Sequence, residues 1–210
     1  MLMAYLSQLT AVEWWGVGTN AAAAIVTFMA VLVALVGWRF MDWRRRPRLE
    51  IAFNHEAPWC RKTNLDDDRQ AYWIRLQVKN KGHNPARACI GKVTRVCSDG
   101  TVRDDIDPMR LRWCGVRDKD GFEAIHLAKG QVEFLNVLRL ESDAQSVIFE
   151  TFPSKEYAPG HPVRLNTDVD HTIEVAVMAD NAEPVSRCLT VRYDGNFGGL
   201  PDSIDVSIDD

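Results

Sequence analysis

An uninterrupted apolar run near the start constrains this chain more than any other feature. Residues 21–38 read AAAAIVTFMAVLVALVGW, with no charged side chain and Thr27 as the one hydroxyl. As a helix the run is about 27 Å long, close to the thickness of a bilayer's hydrocarbon. A helix lying on a globular core keeps a polar face, and this run has none. A cleaved signal peptide is the competing reading. Against it, no Lys or Arg precedes the run, and bulky basic residues follow it instead of a small-residue cleavage site. The sequence therefore predicts an uncleaved transmembrane helix over 19–41.

The flanks set its orientation. Trp14 and Trp15 precede the run, and Trp38 and Trp43 close it, as in the aromatic belts at headgroup level. A basic juxtamembrane collar over 42–48 holds Arg44, Arg45, Arg46 and Arg48. Arginines beside a span are retained on the cytoplasmic side, which predicts an inner-membrane protein with its N-terminus outside. These residues also attract anionic lipid. Residues 1–18 space Leu2, Leu6, Leu9 and Val12 as a helix would, so they read as an interfacial segment or as the start of the span.

Charge divides the chain sharply. The net −4 is the sum of −1 over residues 1–38, +4 over 39–48 and −7 over 49–210. An acidic domain behind a short basic collar argues against nucleic acid as a partner, because duplex affinity comes largely from neutralising phosphates. The five cysteines, odd in number and irregularly spaced, do not form a secreted disulfide framework.

Pro47 stops the helix, and the apolar period changes to two. LEIAF (49–53), YWIRLQVKN (72–80), MRLRW (109–113), TIEVAVM (172–178) and RCLTVRY (187–193) alternate cleanly. CIGKVTRVC (89–97), FLNVLRL (134–140) and SVIFETF (146–152) alternate imperfectly, which predicts bulges or burial on both faces. Together they give about eight strands separated by glycine, proline and asparagine turns. The expectation is an all-β domain, an antiparallel β-sandwich over 49–195, followed by an acidic C-terminal tail over 196–210. Within that tail Ile204, Val206 and Ile208 alternate, so it adds an edge strand, docks on a partner or stays disordered.

The stretch LQVKNKGHNPARAC (76–89) resembles the strand–turn–strand signature of bacterial and archaeal immunoglobulin-like domains, often V-x-N-x-G-x-x-x-A. Residues 175–195 resemble the closing hairpin of such a domain. The sequence lacks the cysteine–tryptophan–cysteine pattern of antibody-type domains, so the resemblance reaches only the fold class. It implies a binding or spacer module. Asn80 and Gly82 are the residues expected to take positive φ in the turn, and Ala86 to restart the next strand.

Chemistry is sparse. GVGTNA (16–21) has no strand before it, and RDKDGFE (117–123) falls short of a calcium loop and reads as a hairpin tip. No zinc-ligand spacing or nucleophile motif occurs, so no catalytic, metal or cofactor residue is assigned, and the chain is read as a non-enzyme. Cys89, Cys97, Cys114 and Cys188 read as buried apolar residues. The long connection 54–71 stands out because it carries Trp59 and Arg61, candidate partner-binding residues on a loop.

Two functions follow as expectations. One is a single-pass protein whose cytoplasmic domain binds a protein partner or assembles with its own copies. The alternative is a ligand-gated membrane effector of the bacterial antiviral-defence type, whose β-domain senses a small molecule and clusters the spans.

Overall fold

A computed structural model describes residues 11–65, 69–106, 108–116, 118–143, 146–149 and 163–209. The chain divides into two units, 1–45 and 46–210.

The described residues of the first unit form one helix, α1 (Ala11–Arg45). Its portion Ala21–Arg45 contains an 18-residue window with a mean hydropathy of 2.4 and is long and apolar enough to cross a membrane. Among the described residues of the unit nothing covers it: Ile25 is 64% exposed, and Phe28, Val33 and Leu35 are exposed as well. Residues 11–18, grouped in the sequence with an interfacial segment, belong to this same helix. The rest of that segment, 1–10, lies outside the described residues. Arg44 and Arg45 occupy the last turn, where cations suit the negative end of the helix dipole.

The second unit is all-β, two antiparallel sheets packed on a shared core. The first sheet runs β1 (Leu49–Ala52), β3 (Gln70–Asn80), β9 (Val132–Glu141), β10 (Val147–Phe149), β11 (Arg164–Leu165). Onto it pair β2 (Cys60–Asn64) through β3, and β7 (Arg112–Trp113) through β9. The second sheet runs β14 (Ile204–Ile208), β13 (Ala182–Tyr193), β12 (His171–Ala179), β4 (Ala86–Ser98), β5 (Thr101–Val102). Here β6 (Met109–Arg110) and β8 (Ile125–Leu127) pair with β4.

Alternation places the faces where the sequence puts them. Tyr72, Ile74, Leu76 and Val78 of β3 are buried against Ile173, Val175 and Val177 of β12 and Leu189 and Val191 of β13 in one cluster. The imperfect strands carry bulges: register shifts beside Val137, between Ile74 and Arg75, and beside Thr94, between Glu174 and Val175. Strand β10 is buried at all three positions, while its predicted continuation 150–152 lies outside the described residues.

Several expectations change. MRLRW is not one strand. Met109 and Arg110 pair with β4, Arg112 and Trp113 pair with β9, and Leu111 between them is buried where the chain switches sheets. Continuous alternation cannot reveal such a switch, because Leu111 and Trp113 point into the same core from both sheets. Within RDKDGFE, Asp118–Phe122 is a 3-10 turn between β7 and β8, which lie in different sheets, and not a hairpin tip. Ile204–Ile208 pairs with β13 as an edge strand, so the acidic segment is part of the domain.

The turn after β3 works differently from the expectation. Positive φ occurs at Ala88, Asp99, Asp168 and four glycines among the described residues, but at neither Asn80 nor Gly82. Asn80 is instead a fully buried hydrogen-bond hub. Its Oδ1 accepts from the Arg48 and Gly82 amides at 3.2 and 2.9 Å, and its Nδ2 donates to the Asn84 and Leu127 carbonyls at 2.8 and 3.0 Å. Gly82 is required by space: a Cβ there would run into the backbone of Arg46, Pro47 and Arg48. One amide side chain thus ties the domain's entry segment, the turn and β8 together.

Candidate functional site

The outer face of the first sheet, turned away from the core, gathers the polar and aromatic groups. Alternation sends Trp73 and Arg75 of β3 outward, opposite Tyr72, Ile74 and Leu76. Across the ladder Trp73 faces Arg61 on β2 and Arg139 on β9, and Arg75 faces Asn136. The Arg139 and Arg75 guanidiniums lie 5.4 and 5.8 Å from the Trp73 ring centre, within cation–π range. Trp73 Nε1 donates to Thr63 Oγ1 at 2.8 Å, fixing the indole on the sheet.

Residues 54–71, read as one long connection, are mostly a hairpin. Strand β2 pairs with β3 from Cys60↔Ile74 to Asn64↔Gln70, and 66–68 at its tip lie outside the described residues. The true loop is 53–59, and it folds back over the sheet. Arg75 N donates to Trp59 O at 2.8 Å, and Trp59 meets Phe134 of β9 edge-on with ring centres 5.5 Å apart. Trp59 is therefore half-buried, while Arg61 is exposed on an edge strand. The structure brings both next to Trp73, Arg75, Asn136 and Arg139, none of which the sequence singled out as a candidate.

The two ends of this face differ electrostatically. At one end Glu141 bridges Arg139 at 2.8 Å and Arg69 at 3.3 Å, and Asp143 adds a second contact to Arg69. At the other end Arg75, only 8% exposed, gives Nε to Asn136 Oδ1 at 3.0 Å and Nη1 to Pro58 O at 3.3 Å. Both acceptors are neutral. Burial lowers the pKa of Arg75, and the charged or ionisable neighbours it feels are Cys114, Arg61 and Cys60. No carboxylate among the described residues pairs with it. Trp59, whose carbonyl accepts from the Arg75 amide, has a buried Nε1 donor with no acceptor.

A second polar chain lies at the other sheet. Buried His171 on β12 is 2.9 Å from Ser98 Oγ through Nδ1 and 2.9 Å from Asn166 O through Nε2. A carbonyl only accepts, so Nε2 carries the proton and Ser98 donates to Nδ1. The pair resembles a serine–histidine dyad on paper. With His171 1% exposed and both ring nitrogens engaged, it acts as a fastener between the end of β4 and β12.

The remaining candidates sort simply. Trp38 and Trp43 are exposed on α1, with Trp43 6.1 Å from the Phe40 ring; Trp14 and Trp15 lie in α1, their side chains outside the described ones. Arg44, Arg45 and Arg46 are exposed. All five cysteines are free, and Cys60 and Cys89 are buried, but Cys97, Cys114 and Cys188 are only half-buried, correcting the uniform expectation. Burial pushes the Cys89 thiol up to about 11. No cluster of three or more metal-ligating side chains occurs among the described residues. The chain matches no known family model and no curated protein.

Proposed function

We propose that the chain is a single-pass inner-membrane protein whose cytoplasmic, immunoglobulin-like domain is a non-catalytic recognition and assembly module. The observation that carries this reading is the outer face of the first sheet, where Trp59, Arg61, Trp73, Arg75 and Arg139 collect on one rigid surface. Tryptophan and arginine are the side chains that dominate recognition energetics, and a sheet holds them with little entropy left to lose. Tethering to a bilayer raises the effective concentration of copies, so weak contacts suffice for assembly. The Arg44, Arg45 and Arg46 collar supports the N-outside orientation, and the V-x-N-x-G likeness supports the immunoglobulin-like assignment.

Crosslinking and affinity recovery from membranes test the module. Changing Trp59 and Arg61 together to Ala removes partner or self-association while the domain still folds; unchanged recovery rejects this face. Thiol labelling of intact cells tests the orientation, and labelling of Cys188 from outside overturns it.

Unmatched Arg75 favours a second reading, a ligand-gated effector in which a small molecule on this face clusters the spans. Replacing residues 21–38 by an unrelated apolar sequence separates the two. Retained activity supports the module, and loss with an intact domain supports the effector.

A further inference from the structure

Around Arg75 the hydrogen-bonding inventory is lopsided. Arg75 has donors to spare beyond Asn136 and Pro58, Arg61 adds an exposed guanidinium, and Trp59 Nε1 is buried without an acceptor. Asn136 gives its one carbonyl oxygen to Arg75, which leaves its amide end as two further donors. The carboxylates of this face are taken elsewhere, Glu141 and Asp143 at the far end by Arg69 and Arg139, and Glu50 on β1 by Lys81. Two guanidiniums and two neutral donors with no anion among them form half of a recognition site. A buried cation without a counter-charge is destabilising on its own, so its retention calls for a ligand that supplies one.

We infer that the Arg75 end of this face binds a phosphate group, presented on a small phosphoester, with Arg75 and Arg61 meeting its charge and Asn136 and Trp59 donating to its oxygens. A phosphate offers three strong acceptor oxygens and up to two negative charges, which matches two guanidinium forks better than a single carboxylate does. The proposal rests on the reading of this face as the recognition surface and gives it a chemical class of ligand.

The test uses full-length protein in detergent, titrated with inorganic phosphate and with adenosine 5′-monophosphate at constant ionic strength, followed by tryptophan fluorescence and thermal melting. Saturable quenching and a raised melting temperature are expected, with acetate giving neither. Arg61→Ala, an exposed position, weakens binding about tenfold and leaves the ligand-free melting temperature unchanged. Asn136→Asp is the sharper variant. It sets a carboxylate against Arg75, so it raises the ligand-free melting temperature and abolishes phosphate binding, whereas a purely structural Arg75 changes only the first. Vesicles of phosphatidylcholine with and without phosphatidylglycerol identify the source: a response to the soluble probes supports the small phosphoester, and a response to the anionic vesicles alone overturns it in favour of a lipid headgroup. No saturable response to any of these, or an equal response to acetate, overturns the proposal. Loss of association in the Trp59 and Arg61 double variant without phosphate binding keeps the recognition face and removes only its ligand class.

Discussion

Helix α1 and strand β3 are both rich in aliphatic residues, and they dispose of them in opposite ways. Along α1 the apolar side chains surround the axis and stay uncovered, with Ile25 64% exposed; along β3 they alternate, and Ile74 is fully buried. The difference is one of which solvent each pattern suits. An apolar cylinder suits a medium that is apolar on every side, whereas a two-faced strand suits a boundary between core and water. A single sequence thus carries two hydrophobic codes, and a charge placed in each breaks it differently.

The largest effect is expected in the β core. Val175→Asp buries an unpaired carboxylate between the sheets, destabilising by about 5 kcal/mol or more, comparable to a small domain's whole stability. Circular dichroism of residues 46–210 checks this, and a retained cooperative melt would show that the core lies elsewhere. In α1 the equivalent change, Val31→Asp, leaves that domain's melting untouched but opposes insertion by about 3 kcal/mol, read as protein shifted out of the membrane fraction. If instead the domain melts lower, the two units are not energetically separate.

Smaller effects sharpen the contrast within the β unit. Asn80→Leu removes four hydrogen bonds and strands their partners, for about 3 kcal/mol, so its urea midpoint falls well below that of a surface variant. His171→Leu costs about 2 kcal/mol by the same reasoning, read in the same titration, and a loss of biological activity without destabilisation would reinstate the Ser98 pair as chemistry. Least of all is the alkaline response. The Cys89 thiol is raised by burial from its ordinary 9.0 to about 11, so the folded state prefers the protonated form. Its contribution is complete below pH 9 and lost as pH rises toward 11, and Cys89→Ala flattens that part of the stability curve.

Local pattern determined much of this protein. The long apolar helix, the arginine collar, the strands 72–80, 172–178 and 187–193 and their buried faces follow from patterns of hydrophobicity and charge that each segment carries by itself. Trp59 and Arg61 were legible as candidates because large aromatic and cationic side chains stand out in a polar stretch. Tertiary structure alone decided the rest. Leu111 marks a switch of sheets because β6 and β7 find different partners, and β2 becomes a strand because β3 offers it an edge. Asn80 acts through four bonds to Arg48, Gly82, Asn84 and Leu127, the first and last of them distant in sequence. Arg75 reads in the sequence as one more outward charge on an alternating strand. It becomes buried and unmatched only because loop 53–59 folds over it and Asn136, sixty-one residues on, arrives opposite. Hydrophobic period is a property of neighbours along the chain, whereas the field around a charge is set by whatever the fold brings beside it.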